Sequence, residues 1–170
     1  LVAAMIATQG QAKTEAWARA FVANFARPPQ GGDRDQIKAA AAGQCDIAIA
    51  NTYYFAALLN DPAERDTAAK LAVFWPDQAE RGVHVNVSGI GLTAAARHVD
   101  AARQLMEFMV SDESQRWYAE ANHEYPVVAG VAPSTTLQAW GEFKADDVNL
   151  AQLGRYNADA VRLMDRVGWK

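Results

Sequence analysis

Apolar positions recur at helical spacing in three parts of the chain, residues 14–25, 99–109 and 156–167. In the first of these, aromatic side chains stand four residues apart and would share one helix face. Residues suited to capping lie beside several predicted helices. Asp33 is placed to cap a helix that runs to Gly43, Ser111 precedes another predicted helix, and Gly168 follows the last one. The pattern therefore predicts a chain rich in amphipathic helices.

Two segments have the pattern of strands. Residues 46–50 form a short apolar run of the kind that is typical of a buried strand. In residues 83–88, valines alternate with polar residues, and Gly89 and Gly91 follow in a segment that would bend easily. Because the predicted strands are separated by helices, we expect an α/β fold with mainly parallel pairing.

Composition and charge exclude several classes of function. The 170 residues are 51% apolar, carry a net charge of −4 and include one cysteine. A nucleic-acid groove has no basic stripe to support it, and one cysteine excludes an internal disulfide or a multi-cysteine metal site. No apolar run is long enough to span a bilayer. Residues 1–7 have the pattern of a helix entered partway along, so we expect the chain to be part of a longer protein.

The strongest candidate for chemistry is the tetrapeptide from Asn51 to Tyr54, which lies where the predicted strand 46–50 ends and a helix begins. Ligands collect at such carboxyl ends of strands, and the first turn of a helix favours anions. A free phenol has a pKa near 10, so a phenolate at neutral pH needs a strong cation. Hard oxygen donors suit a hard ion such as Fe(III), so Tyr53 and Tyr54 are candidate metal ligands.

Simpler roles remain open for the same residues. Adjacent tyrosines after a strand are more often core or surface aromatics than ligands. Asn51 can cap the helix through a bond to the N–H near Tyr54. Arg34 could neutralise an anion beside the metal, or could be an ordinary exposed charge in its loop.

The segment 43–55, which contains both tyrosines, resembles the dityrosine segment of bacterial periplasmic ferric-iron-binding proteins. These are the substrate-binding components of iron(III) ABC transporters. Further segments that resemble this family follow in the same order along nearly the whole chain: residues 29–36, 86–93, 105–108, 124–127, 140–146, 156–158, 163–166 and 168–170.

The resemblance implies a three-layer α/β fold of the transferrin-like, type II periplasmic-binding kind, with this chain as the C-terminal half of a two-lobe protein. Residues 1–82 would belong to the second lobe, which carries the tyrosines. Residues 83–125 would return to the first lobe, and residues 126–170 would be C-terminal helices packed on the lobes.

The family also implies the site and its partners. Tyr53 and Tyr54 would ligate ferric ion, while Asn51 and Arg34 would help to hold a synergistic anion such as carbonate or phosphate. The protein would be a periplasmic monomer that does not itself span the membrane and delivers iron to an inner-membrane ABC permease. It would be neither an enzyme nor a nucleic-acid-binding protein.

Two other classes of function stay open at this point. A receptor of the same fold could take an oxyanion, a polyamine or a sugar, since aromatic residues also stack on sugars. An α/β hydrolase would need a nucleophile, a base and oxyanion donors. Nothing in the spacing of Cys45 and the three histidines indicates such a set.

Overall fold

The computed structural model describes residues 1–169, and most of its regular structure is helical. Lys170, the last residue of the predicted C-terminal segment, lies outside the described residues. The helices are α1 (Val2–Gln9), α2 (Gln11–Ala23), α3 (Asp33–Ala41), α4 (Thr52–Asn60), α5 (Arg65–Ala68), α6 (Val99–Met109), α7 (Asp112–Trp117), α8 (Thr135–Gln138) and α9 (Ala151–Val167), with a π-helical turn at Tyr118–Asn122.

One core joins the two ends of the described chain. Helices α1, α2 and α9 pack together around buried Ile6, Ala18 and Leu163. Trp17 and Trp169 pack against this core, and Trp17 stacks on Phe21. The aromatic stripe predicted for residues 14–25 therefore faces the C-terminal helix.

A second core fixes the helix that carries the tyrosines. Helices α3, α4 and α5 pack on one another around buried Ile37, Phe55 and Leu58. The Trp140 ring stacks on Phe55 with 5.6 Å between ring centroids. Apolar packing on this core thus fixes the position of α4. The tyrosines in its first turn can still face a surface pocket.

Helix ends agree with the sequence in two places and differ in a third. The Ser111 hydroxyl accepts the N–H of Ser114 at 3.3 Å, and Gly168 ends α9 in the left-handed conformation, as predicted. The prediction that Asp33 caps α3 is wrong. Gly32 takes the cap position, and the Asp35 carboxylate accepts its N–H at 2.8 Å, which leaves Asp33 free for another contact.

The strand predicted at residues 46–50 is not formed: the segment is irregular and pairs with no other segment within residues 1–169. Ile47 is 81% exposed and Ile49 is 55% exposed. A strand of this kind is buried by neighbouring strands and by helices on both faces, and no neighbouring strand lies beside it within residues 1–169. The prediction of a buried strand at residues 46–50 is therefore wrong, because the segment has no sheet to join among the described residues.

Strand pairing in the second predicted segment is limited to one point. Val83 forms an isolated parallel bridge with Ala145, and the Val83 N–H donates to the Lys144 carbonyl at 2.9 Å. The Arg81 guanidinium contacts the Asp146 carboxylate at 3.1 Å, and that carboxylate is almost fully buried. Residues 84–92 form no further strand pairing among the described residues. This junction ties the middle of the chain to the segment that leads into α9.

Helix α6 is the clearest amphipathic element without an apolar partner. None of residues 99–109 is buried, although the stripe predicted there is present. Leu105 and Phe108 are both more than half exposed. No helix within residues 1–169 has both the length and the apolar character needed to cross a bilayer.

Candidate metal-binding site

The tyrosine pair lies in the first turn of α4, at the position that the sequence predicted. The two phenol rings are 4.3 Å apart between centroids and are tilted by 44°. They line an open pocket of about 290 Å³. Both rings are partly exposed, so the pair is not enclosed in an apolar core.

Asn51 occupies the cap position of α4, but its side chain does not cap the helix. The Tyr54 N–H instead donates to the Asn51 backbone carbonyl oxygen at 3.3 Å. Both the backbone N–H and the side-chain amide of Asn51 donate to the same Asp33 oxygen, at 2.7 and 3.1 Å. The prediction of a side-chain cap is therefore wrong, because the amide nitrogen of Asn51 is directed to Asp33 and its Oδ1 atom accepts from the Asn86 amide at 3.5 Å.

Arg34 is brought beside the pair from the start of α3. Its guanidinium carbon lies 5.7 Å from the centre of the Tyr54 ring, within reach of a cation–π interaction. The arginine forms no salt bridge within residues 1–169 and lines the pocket together with the two tyrosines. Its charge is therefore available to an anion at the site.

The surroundings of Tyr53 favour its protonated phenol in the free protein. The hydrogen bond with Tyr54 is the main reason why the pKa of Tyr53 rises to about 12, and desolvation adds to it. The charges of Asp33 and Glu124 raise this pKa further, because a phenolate would be repelled by both carboxylates. Only a cation with high charge would turn such a site into a pair of phenolates at neutral pH.

The opposite wall of the pocket comes from residues that the sequence did not indicate. Ala121, Asn122, His123 and Glu124 line it, about 70 positions after the tyrosines. His123 has a left-handed backbone, with φ 57°, at the end of the π-helical turn, and this turns the chain toward the pocket. Nothing in the local sequence pattern around Glu124 places this residue beside Tyr53.

The described residues contain no second cluster of side chains that could form a metal site. Within residues 1–169, no three His, Cys, Asp or Glu side chains group to hold a metal ion. A larger open cavity of about 610 Å³ lies at Tyr125, Leu137 and Phe143, away from the tyrosine pair. The phenol oxygens are therefore the donors that distinguish the site.

Comparison with known proteins gives a consistent group of relatives. A family model described as bacterial extracellular solute-binding protein matches residues 3–145. Iron uptake protein A2 of Synechocystis is 46% identical over 174 residues, which cover 100% of this chain and 50% of that protein.

Solved structures give the same picture. A Trichodesmium protein in complex with iron and citrate ligands matches with a TM-score of 0.95 and 47% identity, over 99% of this chain and 54% of that one. The ferric binding protein of Campylobacter jejuni matches with a TM-score of 0.94 and 37% identity, over 98% and 54%.

The likeness confirms the predicted α/β fold class of type II periplasmic binding proteins, although strand pairing among the described residues is limited to one isolated bridge. The chain spans about half the length of these relatives.

Proposed function

The chain belongs to the bacterial extracellular solute-binding protein family, and from that premise we propose that it is the tyrosine-bearing part of a ferric-iron-binding protein. The observation that carries the proposal is the pair of adjacent phenols at the start of α4, facing an open pocket. Similarity to iron uptake protein A2 and to the Trichodesmium protein supports iron as the cargo.

The proposed ligands in this chain are Tyr53 and Tyr54, which would bind the cargo as phenolates. Arg34 is the better candidate for an anion such as carbonate or phosphate, because the donors of Asn51 already bind Asp33. In this proposal the site binds and releases iron and catalyses no reaction, so the protein would be a receptor and not an enzyme.

The proposed setting follows from the same premise. The protein would work in the periplasm as a monomer and would pass iron(III) to an inner-membrane ABC permease. Residues 1–82 would form part of one lobe, residues 83–125 would return to the other, and residues 126–170 would pack on the lobes. The contacts of α9 with α1 and α2 support the last of these assignments.

Spectroscopy of the whole protein tests the proposal. Tyrosinate–iron(III) has a visible charge-transfer band, and we expect Tyr53→Phe and Tyr54→Phe each to weaken or abolish it. Phenylalanine keeps the ring and removes only the oxygen, at a cost of about 1 kcal/mol for any hydrogen bond lost. Tyr156→Phe on α9 is the matched control, because this tyrosine packs in the other core and should leave the band unchanged.

The same titration separates the alternatives. The band should fade on acidification, since protons compete with the metal for phenolate oxygen. A whole protein that binds iron(III) without a visible band, or whose band survives both substitutions, would contradict tyrosinate ligation. An oxyanion, polyamine or sugar receptor would then become the leading hypothesis.

A further inference from the structure

One carboxylate links the starts of two helices beside the tyrosine pair. Asp33 is the first residue of α3, and Asn51 is the residue immediately before α4. The Oδ2 atom of Asp33 accepts the Asn51 backbone N–H at 2.7 Å and its side-chain amide at 3.1 Å. Two donors from one residue on one oxygen fix both the position and the rotation of Asn51.

This contact replaces the usual local cap of α4. The Asn51 side chain would ordinarily bond to an N–H in the first turn, but here it points to Asp33. The direction in which the chain enters α4 is therefore set by a residue 18 positions earlier. Tyr53 and Tyr54 are two and three residues beyond Asn51, so a small rotation at Asn51 displaces both phenol oxygens.

Apolar packing alone would not set that direction. Phe55 and Leu58 hold the body of α4 on α3, and Tyr54 packs against the same core, but both tyrosine rings remain partly exposed along an open pocket. The Arg34 guanidinium steadies the Tyr54 ring from one side only. The Asp33–Asn51 contact is the only polar contact between side chains of α3 and the backbone at the start of α4 within residues 1–169. Its charge also suits the positive end of α4.

On the premise that the tyrosine pair binds ferric ion, we propose that Asp33 is a positioning residue for this pair. Its carboxylate holds Asn51 so that the two phenol oxygens stay within reach of one cation. Asp33 need not touch the iron. It acts through the backbone of Asn51, as groups behind the ligands orient them in other metal sites.

Asp35 provides a matched control one half-turn further along α3. Its carboxylate also accepts a backbone N–H, that of Gly32 at 2.8 Å, and so supports the start of α3 without contacting Asn51. Asp33→Ala and Asp35→Ala therefore remove the same group from the same helix turn. Only the first removes the link to the tyrosine-bearing helix.

The experiment measures ferric-ion affinity of the whole protein by competition with citrate, together with the visible band at saturation. We expect Asp33→Ala to raise the dissociation constant about 10- to 100-fold and to shift the band, because the geometry of the phenolates changes. Asp35→Ala should keep the wild-type band and an affinity near that of wild type. Asp33→Asn keeps one acceptor oxygen and loses the charge, so it should give an intermediate loss.

Each outcome decides between two hypotheses. A wild-type protein without the visible band would overturn the proposed function, and the role of Asp33 with it. A wild-type band that is identical in Asp33→Ala, or equal losses in Asp33→Ala and Asp35→Ala, would overturn the positioning role alone. If Asp33→Ala does not fold by circular dichroism, Asp33→Asn decides: a shifted band and weaker binding support the role, and wild-type values for both overturn it.

Discussion

At the scale of single residues, the groups around Tyr53 disfavour its phenolate form when no cation is bound. Tyr53 shares a hydrogen bond with Tyr54, and both Asp33 and Glu124 disfavour a phenolate there. Arg34 is the one arginine or lysine side chain that lines the pocket within residues 1–169. The Tyr53 phenol therefore favours its protonated form in the free protein, and a bound trivalent ion would have to displace that proton.

The influence of Tyr54 on its neighbour can be tested without metal. Removing the hydroxyl in Tyr54→Phe should lower the pKa of Tyr53 from about 12 toward the ordinary value of 10. A raised phenol pKa favours the folded state below pH 10, and this contribution is lost as the pH rises through 12. The alkaline loss of stability should therefore be smaller in the variant. Ultraviolet titration of phenolate absorption, with Tyr156→Phe as control, measures the change. If one tyrosine of the Tyr54→Phe variant still titrates at the same high pH as in the wild type, a group other than Tyr54 raises the pKa of Tyr53.

At the scale of helices, two serines occupy equivalent cap positions with different contacts. The Ser111 hydroxyl accepts the Ser114 N–H at the start of α7. Ser134 precedes α8, and its buried hydroxyl has no hydrogen-bond partner among the described residues. A buried hydroxyl without a partner destabilises the folded state, whereas a capping hydroxyl stabilises it.

The same substitution should therefore have opposite effects at these two positions. Ser111→Ala should lower the free energy of unfolding by about 1 kcal/mol, because a backbone N–H loses its acceptor. Ser134→Ala should leave it unchanged or raise it, since only an unpartnered hydroxyl is removed. Urea unfolding of the whole protein measures both values. Equal losses in the two variants would mean that the contact at Ser111 contributes nothing specific.

These helix ends show which features could be predicted from the sequence. Ser111 and Gly168 act on their own neighbours in the chain, so local pattern is enough to place them. Asp33 was misplaced because its partner, Asn51, lies 18 residues away and competes with the local cap. Glu124 was missed as a pocket residue for the same reason. The tyrosine pair was found because its position in the first turn depends only on where α4 begins.

At the scale of the whole molecule, the junction at Gly82 joins two distant segments. Gly82 has φ 99°, and a Cβ atom there would lie 2.6 Å from the Lys144 carbonyl oxygen. The next residue, Val83, forms the bridge with Ala145, and the Arg81–Asp146 pair flanks it. Only glycine allows both this backbone conformation and this close approach.

Gly82→Ala should therefore lower the free energy of unfolding by at least about 1–3 kcal/mol, from backbone strain together with the clash. Gly154 on the exposed face of α9 is the matched control, since its added methyl group would meet open space. Gly154→Ala should raise the free energy of unfolding by up to about 1 kcal/mol, because alanine favours a helix. Thermal or urea unfolding compares them. A Gly82→Ala protein as stable as wild type would show that the junction can relax.

The unpaired segment at residues 46–50 has a practical consequence for anyone who expresses residues 1–170 alone. Ile47 and Ile49 would meet water on an open backbone edge, which is a template for pairing with another copy or with a chaperone. Such pairing would restrain the chain within seven residues of Tyr53. Aggregation of this piece and poor iron uptake by it would then result from the exposed, unpaired segment. Such results would not test whether the tyrosines bind iron.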